Sequence, residues 1–408
     1  MIKLIGFEIY GHSLFKDGTL FSIRTENKNT KQSKNRVSHL NQSLSINKII
    51  GIVGINATGK STLMRIFNGL NDLYLLDRSI DQTELDKALR SKNGFIQVKA
   101  FLASDDNKIF KINTDFKEIH NEDNVSWIIT DEKIFKKKAK YISKNEYFSF
   151  DEKNAECLSK NEEFSFDKKK YFDRNKSLSE QSKSVIKPND SVFRIVLNDT
   201  DKRGLVLSTV EITDVNVPRT FVDQTPRELL KYLDPSIEYL TYKRNKEGKI
   251  ISCSLKFKNS NEVIHGSNFR EVTSYLSSGT IKGITLFFEF VVALRKGATL
   301  LVDEIELHIN KQIARDFIGL FSDPTINKNG ATLIYSTHYI ELTDDLRRND
   351  EEYILKRDTY SELTRLSDKI NRNDLKNSEF FQNNMLGGTA PSYSRLQKLK
   401  NSIRRTMR

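Results

Sequence analysis

Apolar and polar positions change period several times along these 408 residues, and each change marks an expected element. Residues 2–23 alternate enough for two strands around the turn Lys16-Asp17-Gly18. The polar run 25–38 predicts a loop or a flexible hairpin tip. Residues 49–53, Ile-Ile-Gly-Ile-Val, form an apolar run rich in β-branched residues, the mark of a buried strand. After Ser61 the period becomes helical, with Leu63, Ile66, Phe67 and Leu70 at i, i+3, i+4 and i+7. Residues 80–91 predict a further charged helix, and 94–101 with 107–116 predict a strand pair.

From about 118 to 219 the chain turns to Lys, Asn, Ser and Phe, and short strands are expected. Within it, S-K-N-E-Y-F-S-F-D at 143–151 is echoed by S-K-N-E-E-F-S-F-D at 159–167. Two copies are too few for a solenoid, and the Phe-Ser-Phe alternation suits half-buried strands or a mobile arm. A short helix at 226–233 ends before Pro235, and strands at 237–242 and 250–257 flank a turn at 245–248. An α/β pattern then resumes. A loop, Leu276-Ser277-Ser278-Gly279-Thr280, enters an apolar helix over 281–294. Two apolar strands follow, one ending at Asp303-Glu304 and the other at Ser336-Thr337-His338.

Composition narrows the class. Hydrophobic residues are 37% and charged residues 29%, a soluble globular balance, and the length asks for two or three lobes. No apolar run reaches membrane-spanning length, and the first residues lack a signal-peptide layout. The two cysteines, Cys157 and Cys253, have no metal-type spacing, so a cytoplasmic protein with no membrane partner is expected. The net charge of +12 permits contact with nucleic acid, although the lysines are spread along the chain rather than gathered in one block.

The strongest chemistry lies between the first buried strand and its helix. Gly54-Ile55-Asn56-Ala57-Thr58-Gly59-Lys60-Ser61 reads G-x-x-x-x-G-K-S, followed by Thr62. Backbone N–H groups of such a loop wrap phosphates, and a Cβ at Gly54 or Gly59 is expected to hinder that approach. The helix N-terminus adds unpaired donors and a positive dipole end. Lys60 can reach the β- and γ-phosphates, and the Ser61 hydroxyl can ligand Mg²⁺. Gly54, Asn56, Ala57, Thr58, Gly59, Lys60, Ser61 and Thr62 are thus the expected nucleotide contacts.

Asp303 and Glu304 stand where open α/β sheets carry their chemistry. Asp303 can hold the Mg²⁺ water shell, and Glu304 can orient or deprotonate an attacking water. His338 can hydrogen-bond the γ-phosphate. Ser277, Ser278 and Gly279 offer a second anion-binding helix start, or simply an N-cap before a core helix.

The order of phosphate loop, insertion, L-S-S-G-T, L-L-V-D-E and S-T-H resembles the ABC-type ATPase head of the SMC/RecF branch. It is most similar to the AAA-type, overcoming-lysogenization-defect-like ATPases of phage-defence systems, which share L-S-x-G-T and an Asp-Glu-Ile-Glu run. Here that run is Asp303-Glu304-Ile305-Glu306-Leu307-His308, shorter than usual before Leu-His.

The resemblance implies an α/β P-loop NTPase of ABC type split by the β-rich or mixed insertion. Its lobes would be 1–117 and 226–360, with the insertion at 118–225 and a basic tail at 361–408. It implies ATP and Mg²⁺ as cofactors, and catalysis by Lys60, Glu304 and His338. Ser277, Ser278 and Gly279 would act in trans across a homodimer or higher homo-oligomer closed by ATP. The implied function is an ATP-hydrolysing switch of anti-phage defence with a separate nuclease or toxin-like effector. A DNA-repair or chromosome-maintenance ATPase of SMC/RecF type is the alternative.

The nearest candidate for the ABC glutamine loop is Gln97, inside a strand-like alternation. A closing segment, Met385-Leu386-Gly387-Gly388-Thr389-Ala390-Pro391, also resembles the defence ATPases. A membrane-transporter subunit fits poorly, because the insertion is long and no glutamine loop is evident.

Overall fold

The computed structural model describes residues 1–27, 33–121, 124–139, 146–160, 170–197, 202–212, 222–346, 348–369 and 393–407. The chain begins with β1 (Ile2–Tyr10) and β2 (Thr19–Ser22), then a small hairpin of β3 (Val37–His39) and β4 (Ser45–Asn47). The phosphate-loop strand β5 (Ile49–Val53) leads into α1 (Lys60–Leu75) and the one-turn α2 (Leu85–Ala88). Strands β6 (Phe95–Ser104), β7 (Lys108–Asn121) and β8 (Asn124–Lys138) follow, then β9 (Glu156–Cys157) and β10 (Lys170–Asp173). Short helices α3 (Glu180–Val185) and α4 (Phe193–Val196) precede β11 (Val206–Ser208) and α5 (Arg227–Leu233).

A meander of β12 (Ile237–Arg244), β13 (Ile250–Phe257) and β14 (Val263–Gly266) comes next, with α6 (Phe269–Thr273) beside it. Then come α7 (Ser278–Lys296), β15 (Thr299–Val302), α8 (Lys311–Gly319) and β16 (Thr332–Thr337). Strands β17 (Glu352–Arg357) and β18 (Ser361–Arg365) and the helix α9 (Tyr393–Thr406) complete the described chain. No described helix is long and apolar enough to cross a membrane.

Two large sheets organise these elements. One has the order β11-β15-β16-β5-β17-β18, parallel except for the last strand. Its strands are apolar on both sides because both faces are covered. Ile50 and Ile52 of β5, Leu301 of β15 and Ile334 of β16 belong to the core shared with α1 and the second sheet. Their neighbours Ile49, Leu300, Val302, Leu333 and Tyr335 belong to the opposite core, with α7 and α8. The period of two along each strand thus feeds two cores at once.

The second sheet, β2-β1-β6-β7-β8-β10-β9, is antiparallel apart from its last pair. Its inner face closes over α1: Phe67 meets Phe21 edge-on at 5.7 Å, and the buried Tyr74 hydroxyl bonds Thr114 Oγ1 at 2.7 Å. Lys3 of β1 joins the two sheets, its Nζ donating to the carbonyls of Gly297 and Gly330. The architecture is mixed α/β with a parallel sheet, as expected.

Four expectations need correction. The helix at 80–91 is a 3₁₀ turn (Ile80–Gln82) followed only by α2. The Thr83 hydroxyl donates to Ile80 O and accepts from Leu85 N, offering the backbone an alternative to a continuous helix. The insertion does not begin with short strands, since β7 and β8 run on for 14 and 15 residues. The boundary placed at 117/118 falls inside β7. Likewise β11, placed in the insertion, pairs with β15, and β18, placed in the tail, pairs with β17.

The Phe-Ser-Phe segment of the first repeat is not a strand. It lies on the outer face of the antiparallel sheet, where Phe148 stacks on Phe101 at 4.0 Å and Phe150 faces Phe135. Lys137 Nζ holds it by donating to the carbonyls of Glu146 and Ser149, both at 2.6 Å. Most of the second repeat and the 385–391 segment lie outside the described residues.

Candidate functional site

β5 is central in the parallel sheet, with β16 on one side and β17 on the other, so its C-terminal end opens between two neighbours. The turn beyond it uses left-handed backbone at Ala57 (φ 63°) and at Gly59 (φ 101°), the residue preceding α1. The structure gives a further reason for the glycines. A Cβ on Gly54 would stand 2.5 Å from the Leu355 carbonyl oxygen, and one on Gly59 would stand 2.7 Å from Leu14. Protein neighbours by themselves demand these glycines.

Three contacts brace the turn. The Thr58 hydroxyl donates to Ile55 O at 2.8 Å, Ser361 Oγ donates to Thr58 O at 2.6 Å, and Arg357 donates to Ala57 O at 2.9 Å. Lys60 Nζ donates to Gly54 O at 2.8 Å, and burial lowers its pKa while the carboxylates of Asp303, Glu304 and Glu306 oppose that shift. His338 stands beside it, Nδ1 at 3.3 Å from Lys60 Nζ and 3.1 Å from Gly54 O.

The carboxylates arrive from β15. The Ser61 hydroxyl donates to Asp303 Oδ2 at 2.6 Å, and Ser336 Oγ of β16 donates to Asp303 Oδ1. The same Ser336 oxygen accepts from Glu304 N at 2.8 Å. Glu304 is itself left-handed (φ 46°), an uncommon conformation for a residue with a side chain. Its Oε1 lies 3.2 Å from His338 Nε2. Glu306 Oε1 accepts the His338 backbone N–H at 2.7 Å, so one acidic run positions both Glu304 and the histidine.

These groups border a cavity of about 410 Å³, lined by 56–62, Glu304 and His338. Ser13, Leu14, Arg90 and Arg357 complete its wall and had no motif to announce them. The loop carrying Ser13 and Leu14 is set by His12, buried beneath it. His12 Nδ1 accepts from Leu14 N at 3.0 Å, so the proton sits on Nε2, which donates to Ala88 O. Burial pushes the His12 pKa down to about 4, and the imidazole stays neutral.

The other expected site residues lie elsewhere. Ser277 caps α7 by accepting from Thr280 N at 3.0 Å, which is the N-cap arrangement. A Cβ on Gly279 would come 2.6 Å from His308 O, so this glycine permits a close approach to the loop after Glu304. None of Ser277, Ser278 and Gly279 lines this cavity within its own chain. Gln97 sits on the exposed face of β6 and bonds Asp115, away from the cavity.

Residues 49–344 match the protein family described as "AAA domain, putative AbiEii toxin, Type IV TA system". The chain belongs to this family. This AAA-domain protein also has likenesses among solved structures. One is described as "Structure of the recombination mediator protein RecF-ATP in RecFOR pathway", at 10% identity and a TM-score of 0.37. It covers 89% of this chain and 98% of that one. A second RecF structure, "RecF-ATPrS in RecFOR pathway", gives 10% identity, the same coverage and a TM-score of 0.36.

Proposed function

We propose that this AAA-domain protein is an ATP-binding and ATP-hydrolysing switch of an anti-phage defence system that acts through a separate effector. The observation that carries the enzymatic part is the 2.6 Å bond between Ser61 and Asp303, with Glu304 and His338 beside Lys60. A hydroxyl and a carboxylate in contact are a hard-oxygen donor pair, the kind that shares Mg²⁺ with substrate phosphates. These residues fit Mg²⁺, with Ser61 and Asp303 as its holders. Bound there, the ion would neutralise phosphate charge.

The chain's own groups account for the rest. Lys60 meets the β- and γ-phosphates, backbone N–H groups of 56–62 wrap them, and His338 senses the γ-phosphate. Glu304 orients the attacking water and accepts its proton. Such catalysis is mainly positioning and charge stabilisation. Ser277 and Ser278 are exposed, which suits a role on the ATP held by a second copy. The defence role is supported by the family's own description, which names a toxin and a toxin–antitoxin system.

The test combines biochemistry with infection. Purified chain should hydrolyse ATP, and Lys60→Ala should lose nucleotide binding. Cells carrying the chain with its neighbouring genes should lose phage protection with the same substitution. Unchanged protection would sink the switch reading. The net charge of +12 keeps a second reading in view, an ATPase of repair type. ATP-dependent, salt-sensitive duplex binding without any effect on infection would favour it.

A further inference from the structure

Two features that share no residue with the cavity beside Lys60 complement each other. The helix α9 sets Leu396, Leu399 and Ile403 at i, i+3 and i+7, with exposures of 44, 56 and 49%. Its other positions hold Arg395, Lys398, Lys400, Arg404 and Arg405, and no acid. A helix of this length is marginal in water by itself, so an apolar stripe flanked by cations needs an apolar, acidic surface.

One such surface exists on the same chain. A cleft of about 530 Å³ opens between the C-terminal end of α1, the segment through α2, and the edge strand β11. Asp72, Asp81, Glu84, Asp86 and Glu211 line it, against two cations, Arg78 and Lys87. Leu76, Leu205 and Leu207 give it a half-buried apolar floor. Glu84 Oε2 is buried there with no hydrogen-bond partner among the described residues. Burial and the nearby Glu211 carboxylate push the Glu84 pKa up to about 7, as expected where positive charge is short.

We propose that α9 docks in this cleft of its own chain, Leu396, Leu399 and Ile403 meeting the leucine floor and the basic flanks facing the carboxylates. Reach permits it. Residue 369 follows β18, five strand spacings from β11, or about 24 Å across the sheet. Residues 370–392 at about 3.3 Å each span up to about 75 Å. A tethered helix also meets its own cleft at a higher effective concentration than a free partner does. Docking would set the C-terminal helix against the far end of α1, whose first residue is Lys60.

The test uses the full chain with the photo-crosslinker p-benzoylphenylalanine at Leu399 and, separately, at Ile403. Irradiation should join α9 to peptides of 72–87 or 205–211 within a product of monomer mass. Arg404→Glu with Arg405→Glu should cut the yield roughly tenfold, and Asp81→Lys with Asp86→Lys should restore it. Crosslinks of dimer mass, crosslinks elsewhere or none at all overturn the proposal. So does hydrogen-exchange protection of α9 that appears only with phosphatidylserine vesicles or duplex DNA. The readout needs no ATP hydrolysis, so it stands apart from the proposed activity.

Discussion

Ser336 is a small residue with a large share of the site's geometry. Its hydroxyl donates to Asp303 while accepting from Glu304 N, so one side chain fixes the register of both carboxylates. Ser336→Ala leaves the Glu304 N–H without its acceptor in a buried place. It should cost about 1–3 kcal/mol of stability and lower kcat more than it raises the KM for ATP. Steady-state kinetics with a urea titration separate the two effects. Glu304→Gln should bind ATP normally and hydrolyse it roughly 10²-fold or more slowly. Sizing with ATP and Mg²⁺ should then show a dimer, and a monomer there would remove the paired-head arrangement. Gly279→Ala would drive a Cβ into the His308 carbonyl, at a cost of about 1–3 kcal/mol. A denaturation midpoint equal to that of the parent would show that the neighbouring loop yields freely.

Among elements, α1 is the one shared by everything else. Its first turn carries Lys60 and Ser61, its middle packs Phe67 on Phe21, and its last turn ties Tyr74 to Thr114 across the antiparallel sheet. Tyr74→Phe keeps the ring and removes only that hydroxyl bond, so unfolding should shift by about 1 kcal/mol with ATP affinity unchanged. The strand–loop–helix around Lys60 was legible in the sequence because its apolar runs and its motif depend on residues close together in the chain. Of the long β7 only 107–116 was legible, and β8 was not. The outward Phe135 of β8 is covered by Phe150, which erases the alternation that marks a half-exposed strand. Ser13, Leu14, Arg90 and Arg357 were invisible for another reason. They meet the phosphate loop only through the packing of distant strands, and no local spacing records that.

Across the whole molecule, buried carboxylates set a pH response. Burial, reinforced by Glu211 and Asp72 against Arg65 and Lys87, raises the Glu84 pKa from 4.5 to about 7. Its proton is therefore held more tightly in the folded chain than in the unfolded one. The stabilisation is complete below about pH 4.5 and is lost as pH rises through about 7. Glu84→Gln should gain stability relative to the parent between pH 5 and pH 8, as urea midpoints would show. A difference that stays constant with pH would remove Glu84 as the source. Lys3 acts at the same scale, bridging β1 to the turns after α7 and before β16.

The interleaved strand order has a consequence for how the protein is made. β5 leaves the ribosome long before both strands that flank it, since β16 and β17 begin only at Thr332 and Glu352. At about 5–20 residues per second, the wait between Val53 and Thr332 lasts roughly 15–60 s. Through that interval β5 lacks its sheet partners, Asp303 appears only towards its close, and His338 follows after it. Nucleotide can thus help fold this chain only once the segment through His338 has been made, and until then β5 is an apolar strand without its sheet neighbours.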